Sequence, residues 1–123
     1  MFKEVRPKVQ RSGKPNPGIF IDGRVSVDPV PLQQGEPAYI RYTGLLAKSG
    51  ADKVYLHSGY GQTNWQDLKD TEMFHDGTSW YARLIINGPE KLRFCFHDSA
   101  MNWDNNNMMD WCCDIVKSDQ KPY

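Results

Sequence analysis

The side chains best suited to chemistry lie in Phe94-Cys95-Phe96-His97-Asp98 and the following Trp103-Asp104-Asn105-Asn106-Asn107. An alternating apolar strand runs there into a polar loop that carries a tryptophan and three consecutive asparagines. Loops seldom display tryptophan, because a large apolar face in water is unfavourable unless something covers it. Each asparagine amide beside it offers donors and an acceptor. An apolar platform ringed by neutral two-way hydrogen-bonders suits a sugar, whose CH face is apolar and whose hydroxyls both donate and accept. Two more such groups lie upstream. His57 ends Val54-Tyr55-Leu56-His57, and Trp65 follows in Gln62-Thr63-Asn64-Trp65. If the two loops emerge at neighbouring strand ends, Trp65 and Trp103 form one platform and His57 bonds a sugar hydroxyl. A stacked pyranose covers on the order of 100 Å² of indole, worth about 2.5 kcal/mol at ~25 cal/mol per Å². Two platforms and a few hydrogen bonds, less the ordering costs, give roughly millimolar to micromolar affinity.

The elements that must hold these groups have period two. Val25 and Val27 alternate before Asp28-Pro29, read as a strand end. Ala38-Tyr39-Ile40-Arg41-Tyr42 alternates again. Val54 and Leu56 share one face, with Tyr55 and His57 on the other. Trp80, Ala82, Leu84 and Ile86 face one way and oppose Tyr81 and Arg83, so Trp80 reads as core. Asn87-Gly88-Pro89 turns the chain into Leu92, Phe94 and Phe96, and a last short strand is expected over Cys113 to Val116. Turn residues punctuate these runs, and Leu45 to Gly50 reads as a single helical turn or a bulged loop. The pattern predicts an all-β fold, an antiparallel β-sandwich of the immunoglobulin-like kind with seven to eight strands. Residues 1–17 read as a flexible, basic, proline-rich arm, 18–117 as the carbohydrate-binding sandwich and 118–123 as a C-terminal tail.

Bulk composition narrows the function classes. At 123 residues the chain is long enough for one domain. Lys+Arg and Asp+Glu number 15 each, so there is no electrostatic footprint for nucleic acid or an anionic membrane. Mean hydropathy is −0.68, and no apolar run has the length of a membrane span. The start, Met1-Phe2-Lys3-Glu4-Val5-Arg6, lacks a signal peptide's apolar stretch, so a cytoplasmic location is expected, or an extracellular one if the chain is part of a longer protein. Cys95, Cys112 and Cys113 make an odd set with an adjacent pair, a poor disulfide framework that fits free thiols in a reducing compartment. With His97 they offer too few well-spaced ligands for zinc, so neither metal nor cofactor is expected.

Taken in order, Tyr55-Leu56-His57-Ser58-Gly59-Tyr60-Gly61, Trp65, Trp80-Tyr81-Ala82, Phe94-Cys95-Phe96-His97-Asp98 and Trp103-Asp104-Asn105-Asn106 resemble the starch-binding carbohydrate-binding modules of families twenty-five and fifty-three. The upstream Tyr42-Thr43-Gly44-Leu45-Leu46-Ala47 also fits, and the resemblance runs from about Val25 to Ile115. It implies a β-sandwich that binds α-1,4-linked glucans and has no catalytic activity. It puts the sugar platform on Trp65 and Trp103 with His57 as a polar contact, and sets Asn105 and Asn106 beside Trp103, either touching sugar or shaping the loop. The chain departs from the pattern after Asn106, where Asn107-Met108-Met109-Asp110-Trp111 stands in place of an expected glycine. The partners implied are an α-glucan polysaccharide or malto-oligosaccharide, with a glucan-active enzyme as a polypeptide partner. Glycogen is the expected polymer for a cytoplasmic protein.

Two other readings use the same residues. In one, the aromatic loops are a hot-spot patch for a protein partner, though the asparagine surround favours hydroxyls over an apolar groove. In the other, Asp98, Asp104 and Asp110 supply a glycosidase's paired carboxylates, but no spacing defines such a pair. Asp98 and Asp104 are better read as acceptors that fix their own turns, and Trp111 beside Cys112-Cys113 as structural.

Overall fold

The computed structural model describes residues 18–62 and 65–117. The expected arm over 1–17 and tail over 118–123 lie outside the described residues. The alternation read in the sequence becomes eleven strands and one helical turn: β1 (Gly18–Ile21), β2 (Val25–Val30), β3 (Leu32–Gln33), β4 (Pro37–Tyr42), α1 (Leu45–Lys48), β5 (Val54–Tyr60), β6 (Gln66–Glu72), β7 (Phe74–His75), β8 (Trp80–Ile85), β9 (Lys91–Asp98), β10 (Trp103–Asp104) and β11 (Trp111–Val116). Two sheets pack face to face as a β-sandwich. One has the order β1-β2-β4-β8-β7, the other β3-β11-β9-β5-β6 with β10 added beside β9.

The count exceeds the seven or eight expected, and three of the strands span only two residues. The pairing is antiparallel except where β3 runs parallel to β11. Asp28-Pro29 does not end its strand, since β2 continues to Val30 and pairs through Val30 with Gly18 of β1. Pro29 lies past Asp28, the last β2 residue paired with β4, and inside the irregular register between β1 and β2, so its missing N–H costs no regular ladder bond. The last strand begins at Trp111 rather than Cys113, and the ambiguous stretch after Gly44 forms the single turn α1.

Side chains at alternate positions of both sheets fill the interior. Val25, Val27, Ile40, Tyr42, Ala82 and Leu84 point in from one sheet, and Val54, Leu56, Leu92, Phe94, Phe96 and Trp111 from the other, all buried. Tyr42 and Phe96 stack across the gap with ring centroids 4.0 Å apart. The Tyr42 hydroxyl donates to Asp104 Oδ2 at 2.6 Å and accepts the Leu46 N–H at 2.9 Å. The Leu45 N–H also reaches Asp104 Oδ2, at 3.3 Å, so the tyrosine and the aspartate together cap the start of α1. Burial, and then the bond to Asp104, push the Tyr42 phenol far above its ordinary range. Gly44 is required here by close approach, because a Cβ would lie 2.5 Å from Tyr42 Cε1 and 2.9 Å from Asp104 Oδ2.

Removing the Tyr42 hydroxyl leaves the Leu46 N–H and a buried carboxylate oxygen short of a partner. Tyr42→Phe is therefore expected to lower the unfolding free energy by about 1–3 kcal/mol, read as a lower urea midpoint at unchanged slope. An unchanged midpoint would contradict this.

Candidate functional site

Because Val54, Leu56, Ser58 and Tyr60 turn inward on β5, Tyr55 and His57 must turn outward. On β9 the inward Leu92, Phe94 and Phe96 leave Arg93, Cys95 and His97 on that same outer face. Register then brings them together. Tyr55 pairs with His97 and His57 with Cys95, while His57 also faces Asp70 on β6 and Trp103 of β10 pairs with His97.

The result is an aromatic cluster on an open sheet face. His57 stacks against Trp65 (centroids 5.6 Å apart, planes at 28°) and meets Trp103 edge-on (5.1 Å, 87°). Trp103 leans over His97 at 4.5 Å, and His97 stacks on Tyr55 at 5.0 Å. Trp103 remains 43% exposed. Trp65 approaches because residue 59 is glycine, where a Cβ would lie 3.0 Å from Trp65 Cβ and 3.2 Å from the Gln66 carbonyl. Arg93 steadies the turn before Trp65 by donating to the carbonyls of Gly61 and Gln62. The turn before Trp103 is fixed by Asp98, which accepts the N–H groups of Ala100 and Asn102 at 3.0 and 2.8 Å and the Asn102 amide at 3.0 Å. The Asn102 bonds hold the Asp98 carboxyl below its ordinary range.

One oxygen of Asp70 binds two imidazoles, His57 Nδ1 at 2.7 Å and His97 Nε2 at 3.2 Å. Burial pushes the Asp70 carboxyl up, but the bonds from His57 and His97 outweigh it and hold the group below its ordinary range. This contribution to stability is present above the usual carboxylate value of about 3.9 and is lost as pH falls through the lower folded value.

The asparagine loop is spent largely on its own shape. Asn106, Asn107 and Met108 all take left-handed backbone, at φ 58°, 55° and 72°, and so does Asp110 at 58°. The glycine expected in this stretch is absent, yet the conformation that favours glycine is kept. Asparagine tolerates it, whereas methionine has no short polar side chain of its own and is held there by Asn105. Asn105 Oδ1 accepts the Met108 N–H at 2.9 Å. Asn106 accepts from Arg24 Nη2 at 2.8 Å and donates to the Asp110 carbonyl at 3.2 Å, so both ends of its amide serve the protein. Met108 and Met109 project outward, 82% and 75% exposed.

Of the five residues singled out in the sequence, His57, Trp65 and Trp103 meet in one cluster. Asn105 and Asn106 lie in the loop after Trp103, bonded within the protein. Trp80 and Trp111 are buried, and the Trp111 indole N–H donates to Asp22. Tyr55, Asp70 and His97 were not among the expected ligand-binding residues. The alternation that sets Tyr55 beside His57 was legible, but Asp70 joins them only through the β5–β6 register.

Cys95 forms the floor next to His57. Burial, and then the charges of Asp110, Asp70 and Asp104, push its thiol up to about 12, and burial does the same for Cys113. A thiol so far from ionisation is a poor nucleophile at neutral pH. Among the described residues no group of three or more His, Cys, Asp or Glu could hold a metal ion.

Two outcomes follow. Brief alkylation of the native chain in neutral buffer should modify the exposed Cys112 and spare Cys95 and Cys113, as read by peptide mass; fast labelling of Cys95 would refute the closed floor. Met108→Gly should raise stability by up to about 1 kcal/mol, the left-handed cost less glycine's unfolded-state entropy, and a lowered melting temperature would contradict it. No family model, curated protein or solved structure matches this chain.

Proposed function

We propose that the chain is a non-catalytic carbohydrate-binding module for α-1,4-glucan, glycogen or starch, with Trp65 and Trp103 as its platforms. The observation that carries this reading is the packing of both indoles against His57. One lies near-parallel to the imidazole and the other stands nearly perpendicular to it. The indole planes are therefore steeply inclined to each other and form a bent cradle. An α-1,4 linkage curves the chain and turns successive sugar faces, which suits inclined platforms. A flat β-1,4 ribbon calls for coplanar ones. His57, in contact with both indoles, would bond a hydroxyl of the sugar that bridges them.

The binding strength is of the right order. Two stacked sugars bury apolar area worth about 5 kcal/mol before ordering costs, which fits a weak site made effective by many repeats along one polymer. Asn105 lines the loop beyond Trp103 as a second-rank contact, and Asn106 acts through the loop's shape. A glucan-active enzyme is the polypeptide partner such a module would serve.

Native electrophoresis through gels with and without glycogen or amylopectin tests the reading. The wild type should be retarded, and Trp65→Ala and Trp103→Ala should each lose about tenfold or more in apparent affinity while keeping the wild-type circular dichroism. A wild type that runs unretarded on both polymers would sink the proposal. Stoichiometric capture of a protein partner that no sugar displaces would favour the protein-interaction reading of the same loops.

A further inference from the structure

Behind the ligand-facing rings stand two residues that such a face does not itself need. His97 has a side chain only 7% exposed, wedged among Tyr55, Trp103 and Asp70. Asp70 sits on the edge strand β6 with half its side chain in solvent. Its Oδ1 faces His57 Nδ1 at 2.7 Å and His97 Nε2 at 3.2 Å. An ionised carboxylate can only accept, so each of these nitrogens must carry a proton.

For His57 the tautomer follows. With the proton on Nδ1, the neutral ring turns a bare Nε2 away from Asp70, and that atom can only accept. For His97 the second nitrogen also faces an acceptor, the Asp98 carbonyl oxygen, 3.0 Å from Nδ1. A neutral imidazole donates to one of these two oxygens and sets lone pair against lone pair at the other. A proton on each nitrogen satisfies both. The cation so formed is neutralised by Asp70 and faced by the π systems of Tyr55 at 5.0 Å and Trp103 at 4.5 Å. The titratable groups around it are Asp70 from β6, Tyr55 and His57 from β5, and Cys95 and Asp98 on its own strand.

We propose that Asp70 and His97 are positioning residues of the ligand-binding face: Asp70 fixes His57 as an acceptor for a ligand hydroxyl, and His97 underlies Trp103 as a doubly protonated ring. This rests on the glucan reading for the identity of the ligand alone, since the proton positions belong to the free protein. The sugar is thereby given a polarity, because the hydroxyl that meets His57 must donate.

Imidazole proton–nitrogen correlation NMR on the full chain in neutral buffer tests the proposal, together with glycogen-gel retardation of Asp70→Asn. In the wild type, His57 should show a protonated Nδ1 and a bare Nε2, and His97 two protonated nitrogens. The Asp70→Asn amide oxygen can still accept from both rings, but a neutral amide weakens both bonds and no longer balances the His97 cation, so the doubly protonated His97 signature should be lost. Glycogen affinity should fall about threefold or more, the equivalent of one neutral hydrogen bond. Asp70 lies outside the core, and near-UV circular dichroism of the variant checks that the fold is kept. A wild-type His57 protonated on Nε2, a singly protonated His97, or signatures indifferent to Asp70→Asn would overturn the proposal. A wild type with the expected signatures that ignores glycogen would uphold the positioning roles and defeat the glucan reading. Retardation in glycogen with the wrong signatures would do the reverse.

Discussion

The bond between the Tyr42 hydroxyl and Asp104 is the point on which the rest of the structure turns. Tyr42 belongs to the interior of one sheet, and Asp104 to the short strand that carries Trp103 on the outer face of the other. A single buried polar contact thus crosses the sandwich and ties the core to the site. It also explains three neighbours at once: a glycine at 44, where any side chain would collide, a helical turn starting at Leu45 with its N–H groups satisfied, and the Tyr42–Phe96 stack beneath. A buried hydrogen bond contributes modestly while it is made, but leaving its partners unmet is costly. Trp103 is therefore placed from the core as well as by the Asp98 turn before it.

The loop beyond Trp103 is held from the same side. Asn106 reaches back to Arg24, whose guanidinium lies 5.2 Å from the Trp111 ring centroid, while the Trp111 indole donates to Asp22. These contacts join the start of β2 to the entry of β11. They add to the loop's own bonds in holding a run of left-handed residues, and backbone strain of this kind tends to gather near functional surfaces. The outer face itself is built by the other half of the alternation that builds the core. Each strand that buries Leu56 or Phe96 must also present His57 or His97. The cluster is a product of the same strand geometry that builds the core.

Much of this was legible in the sequence. Period-two runs located most of the long strands, assigned Trp80 and Phe94 to the interior and set Tyr55 and His57 on the opposite face. Strand β6 was not legible, because Gln66–Glu72 is polar and almost wholly exposed, with no apolar alternation to mark it. Asp70 was lost with it, since its meeting with both histidines depends on register between strands. The asparagines were legible by type and not by direction. Their composition suits hydroxyl recognition, but composition does not say where an amide points, and Asn106 points to Arg24. The continuation of β2 through Pro29 was hidden because it rests on an irregular pairing with β1, which only the register between the strands reveals.

The central claim is that two of the four tryptophans face a sugar while the other two belong to the core. Indole N–H resonances followed by NMR during titration with a malto-oligosaccharide test it most directly, since each tryptophan reports separately. The account predicts saturable shifts for Trp65 and Trp103, with Trp80 and Trp111 unmoved as internal controls. Indole signals that all stay in place at millimolar sugar, or shifts confined to Trp80 and Trp111, would contradict it.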